Sequence, residues 1–141
     1  MAAAAHHLVD NSVLTRTAKA PVAARIEPMI MSGTLAICSM TDLELLFGAR
    51  SGKEHRARRE EIGLRFAHVA IDQSVMDRAL EVQGLLADQG QHRGANVPDL
   101  VVAAAAERAG LTVLHYDADF ELIATVTQQP TEWVVPRGSV D

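Results

Sequence analysis

Acidic residues recur in this chain at positions where a predicted strand or loop ends and a helix begins. They are Asp10 in HLVDNSV, Glu44 in SMTDLELL, Asp99 in NVPDLVVAAAAERAG, and Asp117 and Asp119 in VLHYDADFELIA. Apolar residues flank each of them, and a carboxylate buried at the end of a core element is unfavourable unless another charge neutralises it. Carboxylate oxygens suit Mg²⁺ or Mn²⁺ better than zinc. The acids therefore indicate a metal-dependent site for phosphate chemistry.

The elements that would position these acids alternate along the chain between short apolar runs and longer helical patterns. Strands are predicted at residues 7–10, 35–38, 66–71, 111–114 and 133–135, the last at a sheet edge. Helices are predicted over residues 12–31, broken or restarted near Pro21, from Ser39 or Thr41 to Leu46, and over 53–65, 73–87, 100–109 and 120–127. Alternating strands and helices predict an α/β fold with a mostly parallel sheet.

In such open sheets, binding sites form beyond the carboxyl ends of the strands. Asp10 and Asp117 follow predicted strands directly, whereas Glu44 and Asp99 are expected in or just before the first turn of a helix. The four acids are therefore predicted to meet at one edge of the sheet. Two helix starts carry capping signals, since Thr41 and Glu44 have capping-box spacing and Asp72 precedes a helical pattern.

Bulk properties restrict the class of protein. The 141 residues are expected to form a single domain over residues 1–141, with 48% hydrophobic residues and a mean hydropathy of +0.06. The sequence has no apolar run long enough to predict a membrane span, and its start does not predict export. A cytoplasmic location is therefore expected. The lone Cys38 allows no internal disulfide and no thiolate zinc site. The net charge of −5 neither favours nor excludes a nucleic-acid partner.

Four segments together resemble the acidic motifs of PIN-domain nucleases, and in particular the VapC-type toxins of bacterial toxin–antitoxin pairs. They are Asp10-Asn11-Ser12, Thr41-Asp42-Leu43-Glu44-Leu45, Pro98-Asp99-Leu100-Val101-Val102-Ala103-Ala104 and His115-Tyr116-Asp117-Ala118-Asp119-Phe120. They occur in the family's order over nearly the whole chain. The stretch from Asp99 to Phe120 is the most specific part of the resemblance.

The resemblance implies a three-layer α/β/α sandwich that uses Mg²⁺, with Mn²⁺ as a possible substitute, to hydrolyse RNA phosphodiesters to 5′-phosphate and 3′-hydroxyl ends. Asp10, Glu44, Asp99 and Asp117 would form the catalytic, metal-binding quartet. Ser12 matches a hydroxyl position that supports the metal site, and Asp119 is an alternative fourth acid or a supporting group. A homodimer and a VapB-type antitoxin, which covers the acidic groove, are the partners that the resemblance implies.

Each acid also has a structural interpretation, as a helix cap, a first-turn charge or a turn former, and only their combination favours catalysis. A PIN fold that binds RNA or protein without cutting is the main alternative. A phosphoacceptor receiver domain would need a late lysine, whereas Lys19 and Lys53 are the only lysines. A phosphatase with a DxD nucleophile fits poorly, because Asn11 and Ser12 follow Asp10.

Several other features are interpreted as structural. Residues 55–61 (HRARREE) are predicted to be a solvated helix face with Arg–Glu pairs, and Arg93 a solvated loop residue. The segment Val135-Pro136-Arg137-Gly138-Ser139 partly resembles a protease-cleavage linker, but it continues from a predicted strand and is interpreted as native chain. The predicted core includes Leu14, Ile26, Ile30, Leu43, Leu46 and Phe47, some of which would alternatively line a dimer face or an antitoxin groove.

Overall fold

The computed structural model describes residues 4–141, and this part of the chain forms five β-strands and seven α-helices. The strands are β1 His7–Val9, β2 Leu35–Cys38, β3 Ala67–Val69, β4 Thr112–His115 and β5 Thr131–Trp133. The helices are α1 Asn11–Leu14, α2 Ala20–Met31, α3 Ser39–Phe47, α4 Gly52–Arg65, α5 Gln73–Asp88, α6 Val97–Ala109 and α7 Asp119–Thr127. No helix within residues 4–141 has the length and apolarity needed to cross a bilayer.

The strands form one sheet in the order β3-β2-β1-β4-β5, and every neighbouring pair is parallel. The chain first builds outward from β1 through β2 to β3, then returns to add β4 and β5 on the other side of β1. The strand order therefore reverses between β1 and β4, which is where crevices form in open α/β sheets. The predicted parallel α/β sheet is confirmed.

Alternating side chains of the strands face two separate apolar cores. One core contains Leu8, Ala36, Cys38 and Val113 together with residues of α5, α6 and α7. The other contains Val9, Leu35, Ile37 and Leu114 together with residues of α1 and α2. Helices therefore cover both faces of the sheet, and the predicted three-layer α/β/α sandwich is confirmed.

Helix α6 lies at the centre of one helical layer, and all of its residues from Asp99 to Ala106 are buried. The run Ala103 to Ala106 has small side chains, which allow close approach of the sheet and of the neighbouring helices. Gly110 ends the helix with a φ of 71°, a left-handed conformation that glycine adopts without steric cost. Because the helix is fixed on all sides, its N-terminus holds Asp99 at the edge of the sheet.

The start of α3 differs from the prediction. The helix begins at Ser39, directly after β2, with the extended residue Cys38 as its N-cap and no side-chain capping bond. The predicted caps Ser39 and Thr41 are therefore wrong, and Thr41 is instead a fully buried helical residue. Because the helix starts earlier than predicted, Glu44 lies in its second turn and not near the first.

Other helix boundaries followed their local signals. Asp72 caps α5, as predicted, by accepting a hydrogen bond from the Val75 amide at 3.1 Å. Ser51 caps α4 in the same way through the Glu54 amide. The predicted helical stretch of residues 12–31 is two helices, separated by residues 15–19. The predicted restart near Pro21 is confirmed, because α2 begins at Ala20 and Pro21 lies in its first turn.

Two predicted core residues on α3 lie at the surface. Ile26 and Leu46 are buried, and Leu14 and Ile30 pack half-buried against the α1–α2 core. Leu43 and Phe47, by contrast, are 65% and 92% exposed, so their assignment to the core is wrong. A local apolar pattern cannot distinguish the two outcomes, because core residues and surface residues that face a partner have the same side-chain types.

Candidate active site

Asp10 is the first residue after β1 and is only 2% exposed. Its amide donates to the carbonyl of Leu114 on β4 at 2.9 Å, and its carboxylate caps α1 by accepting from the Ser12 amide at 2.9 Å. The second carboxylate oxygen, Oδ1, is buried and has no hydrogen-bond partner among the described residues. One oxygen of Asp10 therefore fixes the side chain, and the other remains available.

Ser12 connects the two strands at the switch point. Its hydroxyl accepts a hydrogen bond at 2.8 Å from the amide of Tyr116, the residue that follows β4. Ser12 therefore holds the segment with Asp117 against the N-terminus of α1. Its predicted role in supporting a metal site remains a prediction.

Glu44 and Asp99 approach from two different helices. Asp99 is the third residue of α6 and is 5% exposed, whereas Glu44 on α3 is half-buried. The oxygens Glu44 Oε1 and Asp99 Oδ2 are buried and lack partners among residues 4–141. Like Asp10, each of these carboxylates therefore has one buried oxygen that is shielded from water and forms no hydrogen bond within the described residues.

Asp117 and Asp119 follow β4 in a tight turn. The Asp119 amide donates to Asp117 Oδ1 at 2.9 Å, and Asp119 Oδ2 accepts from the amide of Asn96 at 3.0 Å. One carboxylate oxygen each of Asp99, Asp117 and Asp119 lie within 4.8 Å of one another. Asp119 therefore lies close enough to take part, although one of its oxygens is already engaged by the loop before α6.

A cavity of about 280 Å³, which we call the acidic cavity, brings the predicted quartet together. Asp10, Glu44, Asp99 and Asp117 all line it, as does Ser12, whereas Asp119 does not. The other lining residues are Asn11, Asn96, Val97 and Pro98. The expectation that four distant acids meet at one sheet edge is met by the geometry, and the lining favours Asp117 over Asp119 as the fourth member.

Burial and mutual repulsion oppose ionisation in the acidic cavity. Burial is the main cause that raises the pKa of Asp10, while hydrogen bonds from Ser12 lower it and the charge of Asp117 raises it further. Burial, and then the charge of Asp10, raises the pKa of Glu44. Burial raises the pKa of Asp99 to about 9, with added contributions from a hydrogen bond with Asp119 and from the neighbouring acids. These carboxylates favour a cation beside them.

The residues present fit a divalent cation. Three buried carboxylate oxygens lack partners, the donor set consists of oxygen atoms, and none of the ion pairs within residues 4–141 involves Asp10, Glu44, Asp99 or Asp117. Hard oxygen ligands with several negative charges are typical of Mg²⁺ and Mn²⁺ sites, and the site contains no cysteine or histidine ligand that would select zinc.

Sequence reasoning missed two asparagines and one supporting contact. Asn11 lines the acidic cavity, and its buried Oδ1 lacks a partner within the described chain, so it is a further oxygen donor. Asn96 contributes its backbone amide to Asp119. His115 is buried at the end of β4, and its Nδ1 accepts from the Asp117 amide at 3.2 Å. Asn11 could have been recognised from its position directly after Asp10, whereas the contacts of Asn96 and His115 depend on tertiary structure.

Comparison with known protein families assigns most of the chain. The family model described as PIN domain matches residues 6–126. Strand β5 lies beyond that match but pairs with β4 in the same sheet.

The chain is 43% identical over 137 residues to "Ribonuclease VapC21" of Mycobacterium tuberculosis, covering 94% of this chain and 96% of the relative. It is also 43% identical over 135 residues to "Ribonuclease VapC51" of the same organism, covering 96% and 97%.

Solved structures agree with this fold. A DNA-bound VapBC from Salmonella typhimurium superposes with a TM-score of 0.77 at 20% identity, covering 94% of this chain and 100% of that one. VapBC2 from Rickettsia felis gives a TM-score of 0.73 at 16% identity, covering 90% and 98%. With a parallel sheet, an acidic cavity at its switch point and these matches, the chain belongs to the PIN-domain family, and its relatives within that family are VapC proteins.

Proposed function

We propose that this chain is the toxin of a type II toxin–antitoxin pair and a metal-dependent endoribonuclease that acts on RNA phosphodiester bonds in the cytoplasm as a single nuclease domain. The observation that supports it most directly is the acidic cavity, where four carboxylates converge with three buried oxygens that lack protein partners. The names of the relatives support RNA as the substrate. Mg²⁺ is the proposed cofactor, with Mn²⁺ as a possible substitute.

In this proposal, Asp10, Glu44, Asp99 and Asp117 hold the cation and are the catalytic residues. A divalent cation in such a site neutralises charge on the phosphate and makes water a better nucleophile. Without a cation, a phosphate group in the acidic cavity would face four acidic residues and no basic side chain among the lining residues, which disfavours its binding. Asp99, with its pKa of about 9, retains a proton at neutral pH in the metal-free protein, so loading of the site releases a proton.

Three hydrogen bonds fix the geometry that this chemistry needs. The Ser12 amide holds Asp10, and the Asp119 amide holds Asp117, each through one carboxylate oxygen. The Ser12 hydroxyl ties the two halves together through the Tyr116 amide. Catalytic side chains held in this way lose little entropy when the substrate binds. Asp119 is proposed to support Asp99 and Asp117 and not to replace either.

We also propose that an antitoxin segment binds a second groove, which we call the α4 groove. This groove has a volume of about 520 Å³ and lies between α1, α3 and α4, where Leu14, Leu45, Ile62 and Phe66 provide apolar lining. Asn11 and Glu44 line both the α4 groove and the acidic cavity, so a segment bound in the groove reaches the carboxylates. An amphipathic helix in an apolar groove is a common mode of recognition, and structures with a similar fold include a toxin–antitoxin complex from Klebsiella pneumoniae.

A homodimer is proposed as the assembly of this chain. Leu43 and Phe47 on α3, Leu80 on α5 and Val97 at the start of α6 are all more than half exposed. Leu43 and Phe47 lie one turn apart on α3 and are therefore neighbours, and a contiguous exposed apolar patch marks a surface that binds protein. Light scattering of the purified chain tests the dimer, and a monomeric mass at micromolar concentration would contradict it.

The nuclease proposal is tested by incubating purified, antitoxin-free chain with total RNA in Mg²⁺, Mn²⁺ or EDTA. Asp10→Asn is expected to lower cleavage by about a hundredfold or more, since a metal site loses several kcal/mol of transition-state stabilisation. Asp42→Asn is the matched control, because Asp42 is an acid on α3 that contacts His68 outside the acidic cavity. Cleavage that persists in EDTA, or equally in Asp10→Asn, would contradict the proposal. A folded chain that cuts no RNA would favour the silent binding module.

A further inference from the structure

A second polar cavity, which we call the C-terminal cavity, opens beside the acidic cavity next to β5. Its volume is about 480 Å³, within the range of small-molecule sites, roughly 300–1,000 Å³. Ser12 and Asp117 line both cavities. The remaining lining residues are Arg16, Tyr116, Ala118, Trp133, Arg137 and Gly138. A ligand in the C-terminal cavity is therefore directly adjacent to one in the acidic cavity.

The C-terminal segment after β5 forms a wall of this cavity and is held by Tyr116. The Tyr116 hydroxyl donates to the Val140 carbonyl at 2.8 Å and accepts from the Gly138 amide at 2.8 Å. Arg16 donates through Nε to the main-chain oxygen of Asp141 at 2.8 Å, and its guanidinium lies 4.8 Å from the centroid of the Tyr116 ring. The cavity is thus a structured part of the fold.

Two guanidinium groups in the C-terminal cavity retain capacity for an anion. Arg16 donates through Nε to a main-chain oxygen of Asp141, the last residue of the sequence, and through Nη1 to the Ser12 carbonyl and the Thr15 hydroxyl, so Nη2 takes no part in these bonds. The Arg137 side chain is 66% exposed, and its ion pair with Glu121 is long, at 4.0 Å. In the α4 groove, by contrast, Arg58 lies 2.6 Å from Glu54. Guanidinium groups bind phosphate through paired donors.

Trp133 adds a flat apolar surface to this charge. Its indole packs against His115 with 4.9 Å between ring centroids, and its Nε1 donates to Glu121 at 2.6 Å, so the ring is fixed in place. The Arg137 guanidinium lies 5.5 Å from the indole centroid, near the outer limit of a cation–π contact, about 6 Å. Fixed aromatic rings beside basic groups are the elements with which proteins bind single-stranded nucleic acid.

We propose that the C-terminal cavity is a subsite for one nucleotide that flanks the scissile phosphate, with the backbone phosphate bound by Arg16 and Arg137 and the base stacked on Trp133. The inference rests on the proposed function, since it takes single-stranded RNA as the ligand. Base stacking on a side chain requires an unpaired base, so the subsite selects single-stranded segments. Asp117 connects the two sites, because it lines both cavities.

Trp133 is the only tryptophan in the chain, so intrinsic fluorescence reports this subsite directly. The probe is an oligouridylate of about eight nucleotides, titrated into the chain in Ca²⁺, which suits oxygen ligands and balances the carboxylates of the acidic cavity, while anisotropy of a labelled copy measures total binding. Stacking is expected to quench the tryptophan emission in parallel with the anisotropy. Arg137→Ala is expected to weaken binding several-fold and to lower the slope of log affinity against log salt by about 0.7.

Two further variants complete the experiment. Arg56→Ala removes the same charge from an exposed position on α4 that lines neither cavity, so it is expected to leave the affinity unchanged. Trp133→Leu is expected to weaken binding about five- to a hundredfold, and Trp133→Phe less, because Phe retains a ring for stacking. If Trp133→Leu fails to fold, the exposed Arg137 variant and the wild-type fluorescence still decide the question.

The outcomes separate this inference from the proposed function. Quenching and Arg137-dependent binding without any RNA cleavage in Mg²⁺ would refute the nuclease and support the subsite. Cleavage with the wild-type KM in Arg137→Ala, or oligonucleotide binding that leaves the Trp133 emission unchanged, would overturn the subsite. An oligonucleotide that fails to bind by either measurement would overturn it as well.

Discussion

The two ends of helix α6 place a carboxylate in opposite environments. At the N-terminus, Asp99 is 5% exposed, and within residues 4–141 it forms no ion pair. Near the C-terminus, Glu107 is paired with Arg78, which donates through Nε at 2.6 Å and through a second nitrogen at 3.2 Å. The ion pair between Arg78 and Glu107 connects α5 to α6, whereas Asp99 lies beside other carboxylates that oppose its ionisation. One end of the helix therefore contributes stability, and the other gives up stability for a site.

The largest expected effect is on the rate of RNA cleavage, which a substitution at the N-terminus of α6 should lower and a substitution near its C-terminus should not. Asp99→Asn is expected to lower the cleavage rate by about a hundredfold or more, since it removes a charged oxygen from the proposed cation site. Glu107→Gln makes the same chemical change on the same helix and is expected to leave the rate unchanged. Single-turnover cleavage of a defined RNA measures both. Equal losses in the two variants would mean that α6 matters only for folding.

A second pair of variants sharpens the site around the N-terminus of α6. Asp117 lines the acidic cavity. Asp119 does not line it, and its carboxylate accepts a hydrogen bond from the Asn96 amide. Asp117→Asn is therefore expected to lower cleavage more than tenfold beyond Asp119→Asn, since Asp117 lines the proposed cation site and Asp119 does not. Cleavage rates across a Mg²⁺ titration measure the difference. A larger loss in Asp119→Asn would exchange the two roles.

Thermal stability is expected to change in the opposite direction from activity. Asp99→Asn removes a carboxyl whose ionisation burial opposes, so the metal-free variant is expected to melt several degrees above the wild type. Glu107→Gln removes the charged partner of Arg78 on α6, leaving only the more exposed Glu81 on α5, and is expected to lower the free energy of unfolding by about 1–2 kcal/mol. Melting curves in EDTA measure both, and a destabilised Asp99→Asn would contradict the repulsion between Asp99 and its neighbouring acids.

The smallest expected effect is a pH dependence of stability. The folded state raises the pKa of Asp99 from 3.8 to about 9, so folding binds a proton and stability falls as pH rises between those values. Burial lowers the pKa of His115 from 6.5 to about 4, so this residue acts in the opposite direction, but only below its ordinary pKa of 6.5. Between about pH 7 and about pH 8.5, the metal-free wild type should therefore lose stability.

Asp99→Asn is the control for that slope, because it cannot titrate. Its stability is expected to be nearly flat over the same pH range, and Mg²⁺ or Mn²⁺ is expected to stabilise the wild type more at the higher pH. Melting temperatures at several pH values, with and without metal, provide the comparison. A slope that is identical in both proteins would assign the titration to another group.

The sequence was sufficient for the sheet and for the convergence of the acids. Asp10 and Asp117 follow strands, and the ends of parallel strands meet at one edge whatever the loops do. Glu44 lines the acidic cavity with the other three acids, but its position along α3 was not predicted. A helix that begins directly from a strand with Cys38 as its cap carries none of the usual side-chain signals.

The remaining features depend on tertiary structure. Leu43 and Phe47 resemble core residues until the sheet shows which face of α3 is free. The wall that Tyr116 builds with the C-terminal segment joins residues more than twenty positions apart, and the contact between Arg16 and Asp141 joins residues 125 positions apart. Local patterns contain no information on such pairings, so the C-terminal cavity was not predictable.

The burial of Cys38 provides a measure of native-state dynamics. It is the only thiol in the chain, it is fully inaccessible at the end of β2, and burial raises its pKa. Both properties protect it from alkylation in the native state. A thiol reagent can therefore react only when the junction of β2 and α3 opens, and the reaction rate reports the frequency of that opening. Because Glu44 also lies on α3, the rate at which Cys38 reacts would show how often thermal fluctuations open the acidic cavity.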